Sequence, residues 1–290
     1  MSPQPSEEAP ALVITPPRGW AGLGLRELWH YRELFGFLVW RDIKVMYKQT
    51  ALGAAWAILV PLTQMVIFAF IFGEVANLPT DGLPAPVFYY AALLPWTYFA
   101  QSVTMGSNSL VGSANLLTKI YFPRLILPAS ACIMNLVNFA IAFAILALLM
   151  AWHGLAPSGS ALLLPLLLLM ALVTALGASL FLAALNVKYR DVRFAVPFLV
   201  QVWMYLSVLL PFSALTPERF GAWRYLCGLN PMAGVIEGFR WCLFRTDEAF
   251  AARAEAPWPL IAIGAVSMAA IFALGLVYFR RTERMFADIV

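Results

Sequence analysis

From Ala54 to Gly73 the chain runs for 20 residues without an Asp, Glu, Lys or Arg. At 1.5 Å per residue a helix of that length is about 30 Å long, the thickness of a bilayer's hydrocarbon core. Lipid offers the backbone no hydrogen bonds, so a segment lying there must satisfy its own N–H and C=O groups, which the α-helix does. Composition extends the constraint to most of the chain. Of 290 residues 62% are hydrophobic and 12% charged, roughly half the charge of a soluble globular protein. Mean hydropathy is +0.80. The expected fold is an all-α integral membrane protein.

Residues 1–22 hold several prolines and no apolar period, and read as a flexible cytoplasmic arm. Their acidic start is unlike a cleaved signal. Residues 23–53 read as an amphipathic interface helix: Arg26, His30, Glu33, Arg41, Lys44 and Lys48 recur at helical spacing opposite Leu28, Tyr31, Phe35, Leu38, Val39 and Met46. Residues 54–290 form the transmembrane domain, with about six spans expected at 54–73, 87–110, 125–152, 161–187, 194–212 and 258–279. Residues 231–244 are apolar but too short to cross, and are expected as a re-entrant helix between spans five and six. Leu52-Gly53 offers a compact bend by which movement of the surface helix would tilt the first span. Placing both termini in the cytoplasm gathers Arg41, Lys44, Lys48, Lys119, Arg124, Lys188, Arg190 and Arg193 inside and leaves the first two outer loops without Lys or Arg.

The same clusters account for the net charge of +4 as a topology signal, not as a nucleic-acid face. Cys132, Cys227, Cys242, His30 and His153 have no metal-ligand spacing. Whether Cys227 and Cys242 pair is left open. The central spans lack the carboxylates and cations of proton relays. No G-x-x-x-x-G-K-[ST] loop occurs, so any ATP is bound by another subunit. Tyr90, Thr97, Gln101, Thr104 and Asn108, spaced by seven, four, three and four, share one face of the second span, and Tyr98 adjoins it. Two readings fit that face: a hydrophilic channel lining, or hydrogen bonding between helices. Asn135 and Asn138, one turn apart on the third span, lean to the second. Aromatic residues near the span ends are interfacial anchors, with a sliding surface for sugars as the alternative. Glu237 and Arg240 have the i,i+3 spacing of an ion pair within the short helix.

Five blocks carry a family resemblance: Asp42 to Pro61 with Tyr47-Lys48-Gln49-Thr50 at its centre; Leu93-Leu94-Pro95-Trp96; Asn115 to Arg124; Leu185 to Arg193; and Leu229-Asn230-Pro231-Met232 through Glu237-Gly238-Phe239-Arg240. In this order they resemble the membrane subunits of ABC-2 type ABC transporters that export polysaccharides of the capsule, O-antigen or teichoic acid type. Met46 departs from the basic residue often found there. The resemblance implies a homodimeric channel lined by spans one, two and five. It also implies two copies of a cytoplasmic ATPase that hydrolyses ATP with Mg, and a lipid-linked polysaccharide crossing the bacterial inner membrane, with periplasmic export components beyond. It assigns ATPase coupling to Arg41, Lys44, Lys48, Lys119, Tyr121, Arg124, Arg190 and Arg193. An ABC-2 exporter of lipids or drugs, and a membrane-embedded enzyme of glycan assembly using Glu237 and Arg240, are the rival readings.

Overall fold

The computed structural model describes residues 29–48, 55–208 and 211–283. The arm at 1–22, the beginning of the surface helix and the Leu52-Gly53 bend lie outside the described residues. What is described is predominantly helix, with no strand among those residues.

Helix α1, Arg32–Lys48, carries Glu33 in its first turn and Lys48 in its last, both matched to the helix dipole. Its buried Leu38 packs with Leu110, Phe122, Ile126, Leu180 and Phe279, so α1 lies across one end of the bundle. Phe37, Trp40 and Val45 remain exposed, and the Lys44 ammonium sits 4.4 Å above the Trp40 ring. Apolar rings with cations beside them suit the boundary between lipid and water.

Helix α2, Ala55–Phe68, continues as a π-helix over Ala69–Val75. A tight turn follows, with positive φ at Asp81 (52°) and Gly82 (85°). The second of these is a conformation that glycine adopts without strain. Helix α3, Ala85–Gly112, is the axis of the bundle: it packs against α2, α4 (Ile126–Trp152), α5 (Leu164–Lys188), α6 (Val192–Val208) and α7 (Pro231–Phe244). Its residues Val87 to Leu93 are completely enclosed. Helix α8, Trp258–Thr282, closes the described chain and packs on α5 and α7.

Among the described residues four helical stretches are long and apolar enough to cross a membrane: Ala55–Val75, Ile126–Trp152, Gly159–Lys188 and Trp258–Thr282. The other two expected spans fall short for separate reasons. Helix α3 has the length, 28 residues, but Gln101, Ser102, Thr104, Ser107, Asn108 and Ser109 dilute it. Surrounded by protein instead of lipid, it needs no continuous apolar surface. Helix α6 has the apolar content, and its described stretch, Val192–Val208, is 17 residues long. The short helix at Pro231–Phe244 is capped by Asn230, whose Oδ1 accepts from the Met232 N–H at 3.1 Å. Cys227 and Cys242 are both free thiols, the first exposed and the second buried.

Small residues set the helix separations. A Cβ on Gly177 of α5 would stand 2.6 Å from the Phe272 Cα of α8, and one on Gly275 would fall onto the Gly177 carbonyl. Backbone cannot yield as a flexible side chain does, so this crossing requires both glycines. Gly36 of α1 has open space around it. Gly177→Val and Gly275→Val are therefore expected to lower the thermal unfolding temperature of the detergent-solubilised protein, by the ~1–3 kcal/mol typical of overpacking or more. Gly36→Ala should leave it unchanged or raise it slightly, since alanine is the better helix former by about 1 kcal/mol.

Candidate functional site

Where α1 meets the bundle, α1, α2, α3 and α4 enclose a recess of about 270 Å³. Its walls are mainly apolar, from Met46, Trp56, Val60, Pro61, Leu94 and Met105, and its polar groups come from Tyr47, Thr97, Tyr98, Gln101 and Asn138. These polar groups are linked. The Tyr47 hydroxyl donates to Asn138 Oδ1 at 2.5 Å, and Asn138 Nδ2 donates to Asn135 Oδ1 at 3.2 Å and to Gln101 Oε1 at 3.4 Å. The Thr97 hydroxyl oxygen is enclosed with no hydrogen-bond partner among the described residues.

The polar stripe of α3 thus divides among several environments. Thr97, Tyr98 and Gln101 line the recess. Tyr90 is fully enclosed and donates to the Ala142 carbonyl of α4 at 3.2 Å. Tyr98, though it edges the recess, turns its hydroxyl to the Cys132 carbonyl at 3.3 Å. Asn108 donates to the Thr104 carbonyl at 2.8 Å and accepts from Asn186 of α5 at 3.0 Å. Helical spacing puts these residues on one stripe, but the neighbour facing that stripe changes from α4 to α5 along its length.

Near the residues assigned to ATPase coupling, Leu38, Phe122, Leu125 and Val187, close to several of them in the chain, share one apolar cluster with Phe279 at the α1 end. The coupling residues differ in freedom. Arg41 is bound to its neighbour Asp42 at 2.7 Å, and Arg193 lies 4.6 Å above the Phe194 ring. Arg124 donates to the Glu283 carbonyl at the end of α8, which ties the turn before α4 to the last helix. Lys48, Lys119 and Arg190 are exposed, and Tyr121 is 81% exposed.

At the opposite end Arg240 is completely enclosed. Its guanidinium donates to Glu237 Oε1 at 2.7 Å and to the Val208 carbonyl at 3.1 Å, and stands 3.7 Å from the centre of the Phe88 ring. Beside it Ser213 Oγ donates to Asp81 Oδ1 at 2.6 Å. A second buried arginine was not singled out in the sequence. Arg224 makes two bonds to Glu255, at 2.9 and 3.1 Å, and lies 4.8 Å above the Phe212 ring. A pairing across 31 residues has no local spacing to reveal it.

Residues 33–244 match the family model for the ABC-2 type transporter. The chain belongs to the ABC-2 transporter family. The matched stretch contains the coupling and recess residues named above and the Glu237–Arg240 pair. The ABC-2 chain is 31% identical over 262 residues to the O-antigen export system permease protein RfbA of Myxococcus xanthus, covering 89% of this chain and 96% of that protein. Two proteins of the same name from Klebsiella pneumoniae are 29% and 28% identical, over 69% and 75% of this chain and 76% and 84% of their own lengths. Membership of this family makes the chain a multi-pass membrane protein and a transporter subunit, and implies a partner ATPase.

In the ABC-2 bundle the Glu237–Arg240 pair is structural in geometry: the arginine has no exposed surface. Removing one member of such a pair leaves a buried charge uncompensated and costs about 3–5 kcal/mol, whereas replacing both with apolar groups costs far less. Glu237→Ala should lower the unfolding temperature sharply, and Glu237→Leu combined with Arg240→Met should recover most of the loss. Thermal unfolding in detergent measures both. A double variant no more stable than the single one would rule out the ion-pair account.

Proposed function

We infer that this chain is the permease subunit of an exporter that moves an O-antigen polysaccharide across the bacterial inner membrane. The observation that carries the reading is the similarity to permeases so named, which runs through most of the chain and most of each relative. The cargo is read as lipid-linked polymer, driven by ATP that the partner subunit hydrolyses with Mg.

The architecture supporting this function has six spans, α3 and α6 being completed by their protein surroundings, with both termini in the cytoplasm and α1 on the cytoplasmic face. Two copies of the chain form the channel with two ATPase subunits beneath. Large exposed apolar side chains on α2 (Val66 and Ile67, then Phe70 and Ile71 in its π-helical continuation) and on α6 (Phe198, Leu199, Val202, Leu206) favour pairing through those helices. The exposed turn around Lys119 and Tyr121, the cations of α1 and the Arg190–Arg193 turn offer the ATPase one contiguous end. An uncharged recess carrying amide and hydroxyl groups between aromatic rings suits sugars, which present C–H faces as well as hydroxyls. The enzyme of glycan assembly loses its best candidates, because Arg240 is enclosed and engaged with Glu237.

Deleting the chain in its bacterium is expected to abolish surface O-antigen while lipid-linked polymer accumulates inside the cell. Immunodetection on intact and lysed cells, with gel analysis of extracted polymer, measures this. Loss of polymer synthesis would overturn the reading in favour of an enzyme, and unchanged surface polymer would assign the cargo to another class.

A further inference from the structure

Two features of the sequence have no role in transport so far: Tyr47, at the centre of the Tyr47-Lys48-Gln49-Thr50 block, and the Asn135–Asn138 pair. They meet in the structure. Tyr47 lies in the last turn of α1, and its hydroxyl donates to Asn138 Oδ1 of α4 at 2.5 Å, linking residues 91 apart in the chain. Burial raises the Tyr47 pKa above its ordinary value, so the hydroxyl keeps its proton and remains the donor. Asn138 passes the connection on, to Asn135 at 3.2 Å and to Gln101 of α3 at 3.4 Å.

Asn138 Nδ2 also donates to the Met46 Sδ of α1 at 3.6 Å, and elsewhere α1 is held to the bundle by apolar packing around Leu38. Such contacts have no preferred direction, and a helix slides along them with little loss while the area stays covered. A hydrogen bond has both a direction and a short range. The Tyr47–Asn138 bond therefore converts a displacement of α1 into a displacement of one particular side chain. The bond to Gln101, longer than those to Tyr47 and Asn135, is the one that a small shift closes or breaks.

We propose that Tyr47 is a positioning residue for transport, its bond to Asn138 transmitting the movement of α1 to the Asn138–Gln101 contact and so to the spacing of α3 and α4 around the recess. The proposal rests on the reading of the chain as an ATP-driven permease. Tyr47 touches the walls of the recess but acts through Asn138, and the quantity it governs is the amount of polymer moved per ATP.

The test is a double-mutant cycle in the complete complex with its ATPase, reconstituted in proteoliposomes, with export and ATP hydrolysis measured together. Tyr47→Phe removes the hydroxyl and keeps the ring; Asn138→Ala removes its partner. Each is expected to lower polymer exported per ATP by a factor of about two to ten, the equilibrium worth of one net hydrogen bond. The double variant should lose no more than the worse single variant, because both break the same connection. A parental ratio in Tyr47→Phe, losses that multiply in the double variant, or export and hydrolysis falling together at constant ratio would each overturn the proposal. Should Tyr47→Phe fail to assemble, Asn138→Ala read alone decides, and an unchanged ratio overturns. If the parental complex itself moves no polysaccharide with ATP, the permease reading is what fails, a result visible before any variant is made.

Discussion

The enclosed guanidinium of Arg240 is the interaction on which the far half of the bundle depends. A charge removed from water loses several kcal/mol of hydration, and persists only where its surroundings replace that loss. The replacements come from three separate segments: Glu237 on its own helix, the Val208 carbonyl ending α6, and the Phe88 ring near the start of α3. The bond to Val208 answers a second need. The last carbonyls of a helix have no partners within it, and in apolar surroundings they require a donor. Arg240 supplies that donor together with a positive charge at the negative end of the helix dipole. The Val208 carbonyl of α6 and the buried short helix α7 are thus joined in one solution to one electrostatic problem.

At the α1 end the forces are different in kind. Cations there are exposed, paired with immediate neighbours, or resting on aromatic rings, as with Arg41 on Asp42 and Lys44 over Trp40. Exposed pairs of this sort contribute about 1 kcal/mol or less. The packing of Leu38 and its apolar neighbours holds α1 in place without fixing its register. The far end of the bundle is accordingly pinned around a buried charge, while at the α1 end the apolar contacts around Leu38 are supplemented by the Tyr47–Asn138 hydrogen bond.

The sequence made the helices legible because lipid leaves the backbone few choices. The third expected span, 125–152, and the helix at Ile126–Trp152 differ by one residue, and the short helix at 231–244 has the expected bounds. Reading became harder wherever protein takes the place of lipid. Helix α3 carries polar residues because its own carbonyls and the side-chain amides of its neighbours satisfy them, and hydropathy sees neither. The same blindness separated Asn108, joined to Asn186, from Gln101, facing Asn138, although spacing put them on one stripe. The Tyr47–Asn138 and Arg224–Glu255 contacts depend on chain segments meeting after folding, and no period or motif within either segment encodes the meeting.

The distribution of satisfied and unsatisfied polar groups gives the recess its character. Further along α3, Ser107 donates to the Thr104 carbonyl, Ser109 to the Gly106 carbonyl, and Asn108 is engaged on both sides. Elsewhere on α3 the Ser102 and Tyr89 hydroxyls have no partner among the described residues, and beside the recess neither does Thr97 Oγ1. A buried polar atom left in that state costs about 1–3 kcal/mol, so such atoms find water or a ligand wherever space permits. Space is available here, in a cavity large enough for several waters. A hydroxyl group entering such a cavity replaces water at nearly equal hydrogen-bond energy, so the polar groups of the recess hold what enters only weakly.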